Sequence, residues 1–273
     1  MLNSELQLRL LTAAVLLVAT LALLFLAPPV IFAGITLIIL AIAAVEWFRL
    51  SELAPCQIWP WVTATLGVAV LLYYAAVPLL LPAMAAIVLW LGLMALLWRD
   101  RSQPPALRPA WIKRLLGVAI LALFWFALVQ IHAAADGAWL LLGGLLMVAA
   151  ADSTAYFAGR RFGRHKLAVG ISPGKTLVGV FGGVLGAVIS AVLIGLLLPG
   201  FESASVAGLM LLAVLLAVFS VAGDLEESRL KREMDVKDSG RILPGHGGIL
   251  DRVDGQLAAM PVWLFGLWLM QLV

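Results

Sequence analysis

The run TLVGVFGGVLGAVISAVLIGLLL, Thr176 to Leu198, holds no charged residue. A helix rises about 1.5 Å per residue, so about 20 apolar residues cross the roughly 30 Å hydrocarbon layer of a bilayer. Read this way, the stretch is a transmembrane helix. Eight further blocks of the same kind lie around it: Leu10–Leu26, Val30–Phe48, Ile58–Ala75, Val77–Trp98, Leu115–Ile131, Gly137–Phe157, Ser205–Gly223 and Gln256–Val273. The expected fold is all-α, a polytopic integral membrane protein with about nine transmembrane helices. The composition is 64% hydrophobic and 12% charged, with a mean hydropathy of +1.10. A soluble domain carries about 25% charged residues, so that class is excluded. The first block is longer than a signal-peptide core and no small-residue cleavage site follows it, so it reads as a retained helix. Cys56 is the single cysteine, which rules out a disulfide framework or a cysteine-based metal site within the chain. One membrane domain, 1–273, is expected, with helices 1–5 in 1–131 and the catalytic helices 6–9 in 132–273.

The bases give an orientation. All 18 Lys and Arg fall before helix 1 or in even-numbered loops. Arg9 and Arg49 are followed by Arg99, Arg101, Arg108, Lys113 and Arg114 in loop 4. Loop 6 holds Arg160, Arg161, Arg164, Lys166 and Lys175. Loop 8 holds Arg229, Lys231, Arg232, Lys237, Arg241 and Arg252. Cytoplasmic loops of membrane proteins are enriched in Lys and Arg. The N-terminus and the even loops are therefore expected on the cytoplasmic side and the C-terminus on the other. Loop 4, with Pro104-Pro105, reads as a topology signal that also attracts anionic lipid. Trp47, Trp59, Trp61, Trp98 and Trp111 read as interfacial anchors. Gly179, Gly183 and Ala187, and beside them Gly182, Gly186 and Ser190, give helix 7 a small-residue face for close helix packing.

Loop 8, Asp224 to Gly255, is far longer than the 2–8 residues a plain helix connector needs. It carries eight acids and six bases. Asp224 closes one apolar helix, while Asp251 and Asp254 precede another. Carboxylates placed there suit Mg²⁺ held beside substrate phosphates. Asp224, Ser228 and Lys231 are spaced to share one face if helix 8 continues. The run Pro244-Gly245-His246-Gly247-Gly248 lets backbone N–H groups approach an anion closely.

The same stretch resembles the signature of phosphatidate cytidylyltransferases, the CDP-diacylglycerol synthases. The matching residues are Ser228, Lys231-Arg232, Lys237-Asp238, Gly240, Leu243-Pro244, His246-Gly247-Gly248 and Asp251-Arg252-Val253-Asp254. No position departs from the pattern. The resemblance covers the C-terminal half, from Asp152 onward; helices 1–5 share only their hydrophobicity.

Loop 6 reads Asp152-Ser-Thr-Ala-Tyr156 and, further on, Ile171-Ser172-Pro173-Gly174-Lys175-Thr176. From Gly170 it falls one residue short of a Walker A motif and no strand precedes it, so a P-loop is rejected. Ser172 is the expected N-cap and Pro173 the first residue of helix 7. Lys175 beside that terminus forms a phosphate site. The Ile-Ser-Pro-x-Lys-Thr run also resembles the family's second motif. Asp152, set in an apolar block, is expected to line a polar cavity.

The resemblance implies that CTP and phosphatidate give CDP-diacylglycerol and diphosphate, in phospholipid biosynthesis. Asp224, Asp251, Lys231 and Asp238 are expected to carry the reaction. Asp152, Arg160, Ser172, Lys175, Thr176, Ser228, Arg232, Lys237, His246, Gly247, Gly248, Arg252 and Asp254 are expected to bind substrate. Asp224 and Asp251 are the expected ligands of Mg²⁺, with a second ion allowed. The partners would be CTP, phosphatidate and membrane lipid, not nucleic acid. The resemblance also suggests a homodimer. The expected location is a bacterial inner membrane with the site facing the cytoplasm. Three rivals stand beside this reading: a polyprenol or phytol kinase, a CTP-dependent synthase for another lipid, and an anion transporter. The gapless signature disfavours the kinase. A transporter should hold its ionisable groups near the bilayer midplane, whereas here they crowd the helix ends.

Overall fold

The computed structural model describes residues 4–75, 77–102 and 107–273. Among these, nine α-helices run α1 (Ser4–Leu26), α2 (Pro29–Arg49), α3 (Pro55–Tyr74), α4 (Leu80–Asp100), α5 (Ala110–His132), α6 (Gly137–Phe162), α7 (Leu177–Leu197), α8 (Val206–Glu233) and α9 (Leu250–Leu269). Seven of them, α2 to α8, are long and apolar enough to cross a membrane. The protein is thus an integral membrane protein. The apolar part of α1 is shorter, Leu10–Leu26. Helix α9 opens on Asp251, Arg252 and Asp254, which interrupt its apolar character.

Helix α9 is central instead. It packs against α2, α4, α5, α6 and α8. Gly255, Leu257 to Leu264, Gly266 and Leu267 are all buried, as befits a helix apolar on every side. The outer helices point large side chains outward, among them Leu17, Ile38, Val88, Phe181 and Leu196. In a bilayer that surface faces lipid. The expected small-residue face of α7 meets α6. A Cβ on Gly183 would lie 3.0 Å from the Ala151 carbonyl, and one on Gly186 would overlap Thr154. Only hydrogen fits there, so the two backbones approach closely.

Two helices outrun their apolar blocks. Helix α8 continues ten residues past Gly223 and α6 five past Phe157. Between α6 and α7 lies a short hairpin, β1 (Lys166–Ala168) antiparallel to β2 (Ser172–Thr176), with Lys166 opposite Thr176 and Ala168 opposite Ser172. This corrects the expected cap. Ser172 and Pro173 are drawn into the ladder, so they cannot start the helix. Thr176 is the N-cap of α7, its hydroxyl accepting from the Gly179 N–H at 3.0 Å.

Two expectations about polar anchors also change. Trp47 is fully buried, and its indole N–H donates to the Lys113 carbonyl at 2.9 Å, so it packs within the bundle. Trp59, Trp98 and Trp111 are exposed. In loop 4, Arg108 pairs with buried Glu226, and Lys113 pairs with Glu52 at 2.5 Å and Glu233 at 3.3 Å. Arg229 joins them through Asp100 and Glu233. A buried charge is costly unless paired, so Arg108 and Lys113 stitch the start of α5 to the end of α8 and do not reach lipid. Pro104 and Pro105 lie outside the described residues.

Candidate active site

Helix continuity decides the site. Because α8 stays helical through Glu233, Asp224, Ser228 and Lys231 share a face as their spacing predicted. The Ser228 hydroxyl donates to Asp224 Oδ1 at 3.2 Å. Next to Asp224, Gly223 sits against the Asp254 carbonyl with no room for a side chain. That close crossing of α8 and α9 brings Asp224 and Asp254 to one cleft. Asp152 of α6 opens onto the same cleft, where its Oδ1 accepts from Ser220 at 3.4 Å.

The cleft measures about 730 Å³. Asp152, Arg160, Ser172, Lys175, Thr176, Asp224, Asp251 and Asp254 all line it, eight of the expected residues drawn from α6, the hairpin, α8 and α9. Lys166 lines it as well. The sequence showed that base only as part of a cytoplasmic loop; the hairpin brings it to the cleft, where it stays exposed. Lys175 reaches Asp224 Oδ2 at 2.6 Å. Arg160 holds the Tyr156 hydroxyl at 3.0 Å.

Asp251 is held differently. Its carboxylate accepts from the Lys231 ammonium at 2.7 Å, from the Gly248 N–H at 2.8 Å, and from the N–H and hydroxyl of Ser239, both at 3.0 Å to Oδ2. Lys231 also pairs with buried Glu227 at 2.7 Å. The glycine run does approach an anion, and that anion is Asp251. The turn itself places Gly245 at φ 73 after Pro244, with the His246 N–H donating to the Leu243 carbonyl at 2.9 Å. This is the type II pattern, in which glycine follows proline.

The remaining expected residues sit outside the cleft lining. Lys237 and Asp238 are exposed, and Arg232 is exposed with a bond to the Val236 carbonyl. His246, Gly247 and Gly248 form the loop that backs Asp251. Arg252 points to the opposite side of α9, at a separate apolar cavity it lines with Leu243, Val253 and Gln256. Sequence reading missed Glu227, Ser239 and Glu46. Glu227 sits one residue before the recognised signature, and Glu46 lies in a helix that looked merely hydrophobic.

Four carboxylates lining one cleft, Asp152, Asp224, Asp251 and Asp254, repel one another. Hard oxygens so arranged match the donor preference of Mg²⁺. As they stand, no three His, Cys, Asp or Glu side chains among the described residues converge on a single point. Lysine ammoniums hold Asp224 and Asp251 separately. The donor chemistry therefore fits a divalent cation, which would take over counter-charge that Lys175 and Lys231 now provide.

Comparison with known proteins bears on what such a cleft does. The sequence matches the model of the cytidylyltransferase family over residues 7–270. It is 36% identical to the phosphatidate cytidylyltransferase of Haemophilus influenzae, over 94% of this chain and 96% of that protein. It is 37% identical to the enzyme of the same name from Pseudomonas aeruginosa, over 95% and 96%. With that of Brucella abortus it shares 48% identity over 42% of each chain.

Proposed function

The chain belongs to the cytidylyltransferase family, and from that premise we propose that it transfers the cytidylyl group of CTP to phosphatidate. The products are CDP-diacylglycerol and diphosphate. A phosphate oxygen of the lipid attacks the α-phosphorus of CTP. The new P–O bond forms as the bond to the β-phosphate's bridging oxygen breaks, and diphosphate leaves with that electron pair. The chain supplies position and charge, not a covalent nucleophile.

The observation that carries this reading is the mixed cleft itself. Lys166, Lys175 and Arg160 face Asp152, Asp224 and Asp254 across one cavity. The bases suit a triphosphate and a lipid phosphate, and the acids suit a cation that accompanies them. Lys175 and Lys166, fixed by the hairpin, would contact phosphate oxygens. Asp224 and Asp251 would hold Mg²⁺, with Asp152 and Asp254 close by. When bound, Mg²⁺ neutralises phosphate charge and polarises the phosphorus under attack. Lys231 keeps Asp251 ionised and oriented. The site would face the cytoplasm of a bacterial inner membrane, where CTP is available, with the acyl chains left among the helices.

Purified protein in detergent, given CTP, phosphatidate and Mg²⁺, should release diphosphate and form CDP-diacylglycerol in equal amounts. Formation of a phosphorylated lipid with CDP as co-product would point to a kinase and sink the reading. Neither product would point to transport.

A further inference from the structure

Glu46 lies near the end of α2, a helix whose remaining side chains are apolar save for Thr36 and Arg49. It is 1% exposed. A carboxylate so deeply buried needs partners, and among the described residues its partners come from the loop 8 segment some 200 residues away. Its Oε1 accepts from the Ile249 N–H at 3.1 Å. Its Oε2 accepts from the Leu250 N–H at 2.8 Å, and the Ser239 hydroxyl, whose single proton is shared between Glu46 and Asp251, lies 3.1 Å from it. Leu250 is the first residue of α9, and no side chain next to it in sequence caps the helix. Glu46 caps it from across the fold, and its negative charge suits that end of the helix dipole.

The loop is shaped around this carboxylate. A Cβ on Gly248 would lie 2.5 and 2.6 Å from the two Glu46 oxygens, and one on Gly240 would overlap Oε1. Both glycines are positions of the recognised signature. Neither has a positive φ, so the constraint is space and not backbone conformation. Ser239 and Gly248, the residues that touch Glu46 or crowd it, also donate to Asp251. Glu46 and Asp251 therefore grip the same segment, with the Ser239 hydroxyl within reach of both carboxylates.

We propose that Glu46 is a positioning residue of the active site. It fixes the 239–250 segment so that Asp251, held on its other oxygen by Lys231, is presented to the cleft. The proposal rests on the reading of that cleft as the catalytic site. Amide exchange, which needs no turnover, keeps the two separable.

In full-length protein in detergent, Glu46→Gln leaves one acceptor oxygen where two are used. Peptides covering 239–250 should then exchange about tenfold faster, the worth of one net hydrogen bond, while α5 and α7 exchange as before. kcat should fall by at least a similar factor with the KM for CTP little changed. Gly240→Ala supplies a second arm. It should depress kcat strongly when Glu46 is present, and have little further effect in the Glu46→Ala background, where the crowding oxygen is gone. Unchanged exchange in 239–250, or faster exchange spread evenly over the molecule, overturns the proposal. So does an equal cost of Gly240→Ala in both backgrounds. A wild type that makes no CDP-diacylglycerol would instead overturn the enzyme reading, and the exchange result would still decide the role of Glu46.

Discussion

At Asp224 two roles meet, counter-ion to Lys175 and proposed ligand for Mg²⁺. Asp224→Asn keeps the shape and removes one negative charge. It should nearly abolish cytidylyl transfer, by about 10²-fold or more, as loss of a key electrostatic group does. Excess Mg²⁺ should restore only a little. Asp251→Asn should do the same, and Asp254→Asn should cost less. Activity alone cannot separate a lost ligand from a disturbed loop at Asp251, which organises Ser239 and Gly248. Mn²⁺ binding followed by electron paramagnetic resonance can: both Asn variants should bind the ion more weakly, and wild-type binding in both would refute the metal assignment. Lys175→Ala should cut turnover strongly with the fold intact in detergent. Near-normal turnover would leave Lys175 as nothing more than the partner of Asp224. Asp224 and Lys175 were legible in the sequence because charge beside a long apolar block is conspicuous. Glu46 was not, because its partners, two backbone N–H groups and the Ser239 hydroxyl, lie some 200 residues away in sequence.

Among the elements, the hairpin before α7 departs most from expectation. Ser172 and Pro173 have the residue types of a helix start, yet pairing with Lys166–Ala168 holds them extended. The cap passes to Thr176, whose hydroxyl takes the Gly179 N–H. Thr176→Ala should cost about 1 kcal/mol and lower the melting temperature in detergent, while Ser172→Ala should leave it unchanged. The reverse order would restore the cap to Ser172. This pairing also turns Lys166 and Lys175 toward the cleft. Short polar strands carry little periodic signal, so a three-residue partner such as β1 leaves almost no trace in the sequence.

For the molecule as a whole, the segregation of bases predicts a topology with the N-terminus in the cytoplasm and the C-terminus across the membrane. Reporter fusions after Val273 and within loop 8 should report opposite sides; the same side for both would mean that the number of crossings is not nine. The test bears most on α1 and α9, since α2 to α8 are the helices long and apolar enough to cross by themselves. The sequence by itself determined that the chain is helical and membrane-embedded, because continuous apolar runs of about 20 residues match a spanning helix and not the shorter strands of a barrel, and a helix satisfies its own backbone hydrogen bonds in lipid. It also determined which loops carry the chemistry, because charges left beside such runs are costly and therefore stand out. Only the tertiary structure decided that α9 lies at the centre, that Trp47, Arg108 and Lys113 turn inward, and that Glu46 of α2 caps the helix bearing Asp251. Each of these depends on which helix lies beside which. Hydropathy repeats along one helix carry no information about its neighbours, so contacts between residues 46 and 250 exist only once the bundle has assembled.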